Sequence, residues 1–242
     1  MLNDTAAIAA QQILEELKPL GSESYKRVML NHGVREPFFG VKIGDLQKIV
    51  KRIKMDYRLA LQLYDTGNYD AMYLAGLIAD DAQMTKADLQ HWVAAAYCPG
   101  LSGWTVPTVA AGSPHGWELG LEWIDSQTPL IAVAGWATLA SLVSVKADSQ
   151  LKLLKITQLL RRVQDTIHEA PDRVRYQMNG FIIAVGSYVS SLTTTALQTA
   201  ERIGPVKADL GNNACQTPSA LDSIRKVQER GTIGKKRKKA KC

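Results

Sequence analysis

The tryptophans carry the first chemical signal. All five, Trp92, Trp104, Trp117, Trp123 and Trp136, lie in the middle of a 242-residue chain. Trp104 stands apart in Ser102-Gly103-Trp104-Thr105-Val106-Pro107, where glycine and proline open the local backbone. An indole presented there can stack on a base or a sugar, a contact worth roughly 1–3 kcal/mol in single-strand binders. Packing is the commoner role of a lone tryptophan, and Trp92, Trp117 and Trp123 read as core. The nearby acids are Glu118, Glu122 and Asp125. Glu118 and Glu122 share a helical face at i, i+4, which suits a surface pair better than a catalytic one. His32, His91, His115 and His168 have no metal-ligand spacing, and there is no Gly-x-Ser-x-Gly elbow, phosphate loop or dinucleotide fingerprint. Neither a metal nor a cofactor is expected.

Positive charge is the second signal. From Lys42 to Arg58 the chain is basic, and Lys48, Lys51 and Arg52 occupy one helical face, diluted by Asp45 and Asp56. Such a face suits a phosphate backbone and equally suits plain solvation. Arg161 with Arg162, and Arg173 with Arg175, are further patches of the same kind; in a superhelix all three could line one wall. The strongest run is the C-terminus, with Lys235, Lys236, Arg237, Lys238, Lys239 and Lys241 and no acid among them. These six of 29 basic residues equal the net charge of +6, so the rest of the chain is neutral. Any DNA affinity of the body must then come from uneven charge placement.

Cys98, Cys215 and Cys242 form no Cys-x-x-Cys or zinc spacing, which fits a reducing compartment. The N-terminus lacks the layout of a signal peptide. The most apolar run, Leu130 to Val143, contains Gly135, Thr138 and Ser141 and is too short to span a bilayer. A soluble, cytoplasmic chain without a membrane partner is expected, nucleoid-associated if the source is prokaryotic.

The elements that must position these residues are helices. Apolar residues recur at three- and four-residue steps, and no sustained period-two run appears. The pattern predicts helices over 4–18, 22–32, 43–54, 56–65, 68–80, 85–97, 102–111, 115–126, 129–146, 148–169, 172–190, 193–203 and 217–230. Gly33 and Gly67 read as stops, and Thr217 with Pro218 as a start. In 148–169, Leu153, Ile156, Leu160, Val163 and Ile167 form one stripe, whereas 129–146 and 172–190 are apolar enough to be buried. Short connections between short helices point to stacked pairs of the HEAT or armadillo kind, with a globular bundle as the competing layout. One domain over 1–230 and a flexible basic tail over 231–242 are expected.

The segment Asn31-His32-Gly33-Val34-Arg35-Glu36-Pro37-Phe38-Phe39-Gly40-Val41-Lys42, continuing through Asp45-Leu46-Gln47-Lys48-Ile49 and Leu59-Ala60-Leu63-Tyr64, resembles the opening of the DNA alkylation repair (AlkD-like) family. Looser similarity runs on through Leu74-Ala75, Trp104 and Ala184-Val185-Gly186. The resemblance implies an all-α solenoid of HEAT-like repeats, a right-handed superhelix of helix pairs with a concave basic groove for duplex DNA. It further implies glycosylases that remove N3- and N7-alkylated purines, using an aspartate, two tryptophans and an arginine. An aspartate opposite an oxocarbenium-like sugar stabilises charge where it develops. Here the first tryptophan matches Trp104, but the aspartate position falls on Thr108. The arginine region matches Ala134-Gly135-Trp136-Ala137, and the second tryptophan falls on Ser187, beside Tyr188.

Three functions are consistent with this sequence: a diverged, non-catalytic DNA-binding relative; an active glycosylase with Glu118 or Asp125 as substitute carboxylate; and a protein-interaction scaffold. The expected partner is duplex DNA, alkylated or otherwise damaged, held by a monomer. The candidate contacts are Lys42, Lys48, Lys51, Arg52, Trp104, Thr108, Trp136, Arg161, Arg162, Arg173, Arg175, Ser187 and tail residues Lys235 to Lys239.

Overall fold

A computed structural model describes residues 2–212 and 215–241, with side chains from Thr5 onward, so Cys242 lies outside the described residues. Among them the helices are α1 (Leu2–Leu17), α2 (Glu23–Asn31), α3 (Ile43–Ile53), α4 (Tyr57–Asp65), α5 (Tyr69–Ile78), α6 (Lys86–Ala95) and α7 (Val106–Gly112). They continue as α8 (Gly116–Trp123), α9 (Pro129–Val145), α10 (Leu153–Thr166), α11 (Asp172–Tyr188), α12 (Thr193–Ile203) and α13 (Ala220–Glu229). The described residues form no strand, only one antiparallel bridge between Gly21 and Val41.

Helix starts follow side-chain chemistry. Asp56, Asn68 and Ser219 each accept a backbone N–H from the first turn that follows, and Thr85 with Asp88 forms a capping box. Two expected starts are displaced. The helix expected from 148 begins at Leu153, because residues 148–150 close a tight turn in which the Gln150 side chain accepts from Ala147 N. The helix expected from 217 begins at Ala220, because Asn179 on α11 donates to Pro218 O and Ser219 takes over as cap.

Helices α5, α7, α9, α11 and α13 pack side by side in chain order, each backed by its predecessor α4, α6, α8, α10 or α12. Packing within the first set is densest where α9 meets α7 and α11. This is a HEAT-like solenoid of helix pairs. Central α9 supplies Ala134 to the N-terminal core and Val133 and Trp136 to the C-terminal one. Burial on all sides explains why its sequence is apolar all round. No single helix among the described residues is long and apolar enough to cross a membrane.

Candidate functional site

The Phe38-Phe39-Gly40-Val41 turn is built around an acid that the sequence did not single out. Asp70, 2% exposed in the first turn of α5, accepts Phe39 N at 2.6 Å and Gly40 N at 3.1 Å on Oδ2, and Val41 N at 2.9 Å on Oδ1. Gly40 takes a positive φ of 77°, and a Cβ there would lie 2.9 Å from Ser22 O, so glycine is required. Tyr69 N bonds Pro37 O, and Phe38 packs edge-on against the Tyr69 ring. Burial raises the Asp70 carboxyl above its usual range, against the pull of the three N–H donors. The motif thus locks the start of α3 to α5, on which the next element rests.

That element is a π-helical turn, Leu101–Thr105, leading into α7. Val106 N reaches back to Leu101 O, and Pro107 has no N–H to continue the regular ladder. Turns of this kind recur at functional sites. Trp104 is only partly buried here, unlike Trp92, Trp123 and Trp136. Trp117, expected in the core, is also partly buried, with Lys152 5.7 Å from its ring centroid. Gly76 on α5 allows the close approach behind the turn, since a Cβ on it would lie 2.5 Å from Thr105 Cγ2. In front, a Cβ on Gly103 would lie 2.9 Å from Gln177 Nε2 of α11 and 3.6 Å from Val133 Cγ1 of α9.

Thr108 follows one turn later, 4% exposed, its hydroxyl donating to Thr105 O at 3.1 Å. It carries no charge and its one proton is engaged within its own helix. Trp136 is 1% exposed, packed on Phe181 with Arg162 5.7 Å from its ring centroid. It therefore belongs to the core between α9, α10 and α11 and offers no aromatic surface to the groove. The two candidate substitute acids sit elsewhere. Glu118 bonds Lys86 at 2.7 Å and Asp125 bonds Arg162 at 2.6 Å, so both serve the backing layer.

The three basic patches do not share one wall. Lys48 bonds Asp45, and Arg52 makes a forked pair with Glu16 of α1; Lys42 and Lys51 are exposed on α3. Arg161 is exposed on α10, in the backing layer, and Arg162 also donates to Ile124 O. Arg173 donates to Leu210 O, and Arg175 to Lys207 O, His168 O and Ala170 O, so these two clamp loops to α11.

The tail is not free. Gly234 N donates to Ser187 O, Arg237 N to Ser144 O, and Lys236 Nζ to Val143 O and Asp148 at 2.8 Å each. Farther on, Lys241 Nζ reaches Ala79 O at 2.6 Å and Asp81 at 2.5 Å, and Ala240 is buried. These anchors are the C-terminal ends of α11, α9 and α5, met in reverse chain order. Helix ends present unpaired carbonyls and negative dipole, which a lysine-rich segment satisfies. The flexible end expected from composition is therefore a docked irregular segment through residue 241. Burial lowers the Lys241 pKa and raises that of Asp81. Lys235, Lys238 and Lys239 remain exposed.

Comparison with known proteins agrees with this architecture. Residues 13–208, from α1 into the loop after α12, match the model of the DNA alkylation repair enzyme family. An uncharacterized protein of Listeria monocytogenes is 29% identical over 228 residues, covering 92% of this chain and 99% of that one. Another from Listeria innocua is 28% identical with the same coverage. A solved structure, described as representing a new family of proteins related to the HEAT-like repeat DNA glycosylases with affinity for branched DNA structures, gives a TM-score of 0.87 at 35% identity. It covers 96% of this chain and 99% of its own. On its turn motif, its paired-helix groove and this match over most of its length, the chain belongs to the DNA alkylation repair enzyme family.

Proposed function

We propose that this protein is a DNA-binding member of the family that has lost base excision, and that it engages branched DNA as its structural relative does. The feature that carries this reading is Thr108, the residue that the sequence resemblance sets against the carboxylate of the family's glycosylases. A neutral hydroxyl committed to Thr105 O does not stabilise a developing sugar cation. Glu118 and Asp125 are held by Lys86 and Arg162 on the backing layer, away from the π-turn. What supports binding is the partly exposed Trp104 on the π-turn before α7, with exposed cations on α3 and the tail. The protein acts as a monomer on DNA in the cytoplasm or nucleoid.

Two assays test this together. Alkylated duplex incubated with the protein should release no more methylated purine than buffer alone, and Glu118→Ala and Asp125→Ala should not change that. Release above buffer overturns the non-catalytic reading. A labelled four-way junction should bind more tightly than linear duplex of the same length, with affinity falling as salt rises. Equal affinity for the two overturns the preference for branched DNA, and salt-independent or absent binding overturns the DNA-binding reading.

A further inference from the structure

The docked tail forms one wall of an open cavity of about 550 Å³ between α11 and α13. Among the described residues four cations line it, Arg230, Lys235, Lys236 and Arg237, and no Asp or Glu side chain does. Ile183 and Val227 supply apolar wall, and Ser187 and Tyr188 bring hydroxyls from the end of α11. Ser187 is 4% exposed, and its Oγ has no hydrogen-bond partner among the described residues. Buried hydroxyls are nearly always satisfied, so an orphan beside four cations points to an acceptor-rich ligand.

The backbone that carries Lys235, Lys236 and Arg237 is fixed in advance. Gly234 N is tied to Ser187 O and Arg237 N to Ser144 O, so Lys235 is carried on backbone pinned at both ends. Lys236 is held by Asp148 and Val143 O. The opposite wall is set by Gly186, where a Cβ would lie 2.5 Å from Ile224 Cδ1, so α13 packs closely on α11. Preorganised donors lose little freedom on meeting an anion.

We propose that this cavity is a phosphate site, with Arg230 and Lys235 as its cations and Ser187 Oγ as its hydroxyl donor. For the source of the phosphate it rests on the DNA-binding reading: a backbone phosphodiester at the C-terminal edge of the groove. A free nucleotide offers the same chemistry, and the test separates the two.

The full-length chain is titrated with thymidine 5′-monophosphate while the backbone amides of Ser187, Gly234 and Lys235 are followed by NMR. Binding of a labelled four-way junction is measured in parallel across a salt series. The variants are Arg230→Ala/Lys235→Ala, Ser187→Ala, and Lys238→Ala/Lys239→Ala, which removes equal charge from tail residues outside the cavity. For a DNA phosphate, Arg230→Ala/Lys235→Ala weakens the junction more than Lys238→Ala/Lys239→Ala and lowers the salt slope by about 0.9 per phosphate released. For a free nucleotide, the three amides shift in wild type, the shift is lost in Arg230→Ala/Lys235→Ala and Ser187→Ala, and junction binding is unchanged. The site is overturned if the amides do not move and the two double variants bind the junction alike. If the wild type fails to bind any DNA yet the amides shift, the DNA-binding reading fails and the phosphate site stands.

Discussion

Asp70 offers the sharpest test of how the family's turn motif works. Replacing it with alanine removes the acceptor for three backbone N–H groups, those of Phe39, Gly40 and Val41. A hydrogen bond to a charged group contributes about 1.5–3 kcal/mol, and an abandoned buried donor costs a similar amount. Simple addition overstates the loss, because burial already penalises the carboxylate and raises its pKa. A net loss of about 3–5 kcal/mol is expected, as for breaking other buried charged contacts. In a chain of this length each kcal/mol moves Tm by about 2–4 °C, so Asp70→Ala should melt roughly 6–20 °C lower. Asp70→Asn keeps one oxygen. Placed where Oδ2 stands, that oxygen retains the Phe39 and Gly40 bonds and loses only Val41, so the loss should be about a third as large. Thermal melts give the size of the effect, and hydrogen exchange at the three amides gives its location. An Asp70→Ala melt within about 2 °C of wild type, or unchanged exchange at residues 39–41, refutes the anchoring role.

Gly76→Ala should cost about 1–3 kcal/mol through overpacking against Thr105 and alter tryptophan fluorescence by displacing the π-turn, measured by melting and emission spectra. Deleting residues 235–242 should weaken duplex binding and lower its salt slope while the domain still melts cooperatively; unchanged binding removes the tail from DNA recognition. The Asp70 titration has a definite sign. Its folded pKa lies above its ordinary value, so the pH-linked part of its contribution is full below the ordinary value and lost as pH rises through the folded one, while the bonds from residues 39–41 persist. The stability advantage of wild type over Asp70→Asn should therefore shrink over that interval, and an advantage that grows contradicts the burial argument.

The helices were legible because period and caps agree: Asp56, Asn68 and Thr85 mark starts, while Gly33 and Gly67 take the positive φ their positions as stops require. What was not legible depended on distant partners. The start at Ala220 is set by Asn179 on another helix, and the fate of the tail by Asp148 and Asp81. The site was partly readable. Trp104 was picked out by its glycine and proline neighbours, whereas Trp136 was carried over from the resemblance although the apolar run around it already pointed to the burial against Phe181 and Arg162. Asp70 escaped notice because a first-turn acid ordinarily serves the helix dipole. Its position in the otherwise apolar run Tyr69 to Ile78 was the available clue.

The returning tail also changes what kind of object the solenoid is. Stacked helical repeats usually behave as a linear array, each unit answering only to its neighbours, with stiffness like that of a spring. Here the last residues are bonded to the end of α5, so the two halves of the array are joined by a chord as well as by the arc between them. The spacing of the ends of α5, α9 and α11 is then fixed twice, once by helix packing and once by the tail that bonds to all three.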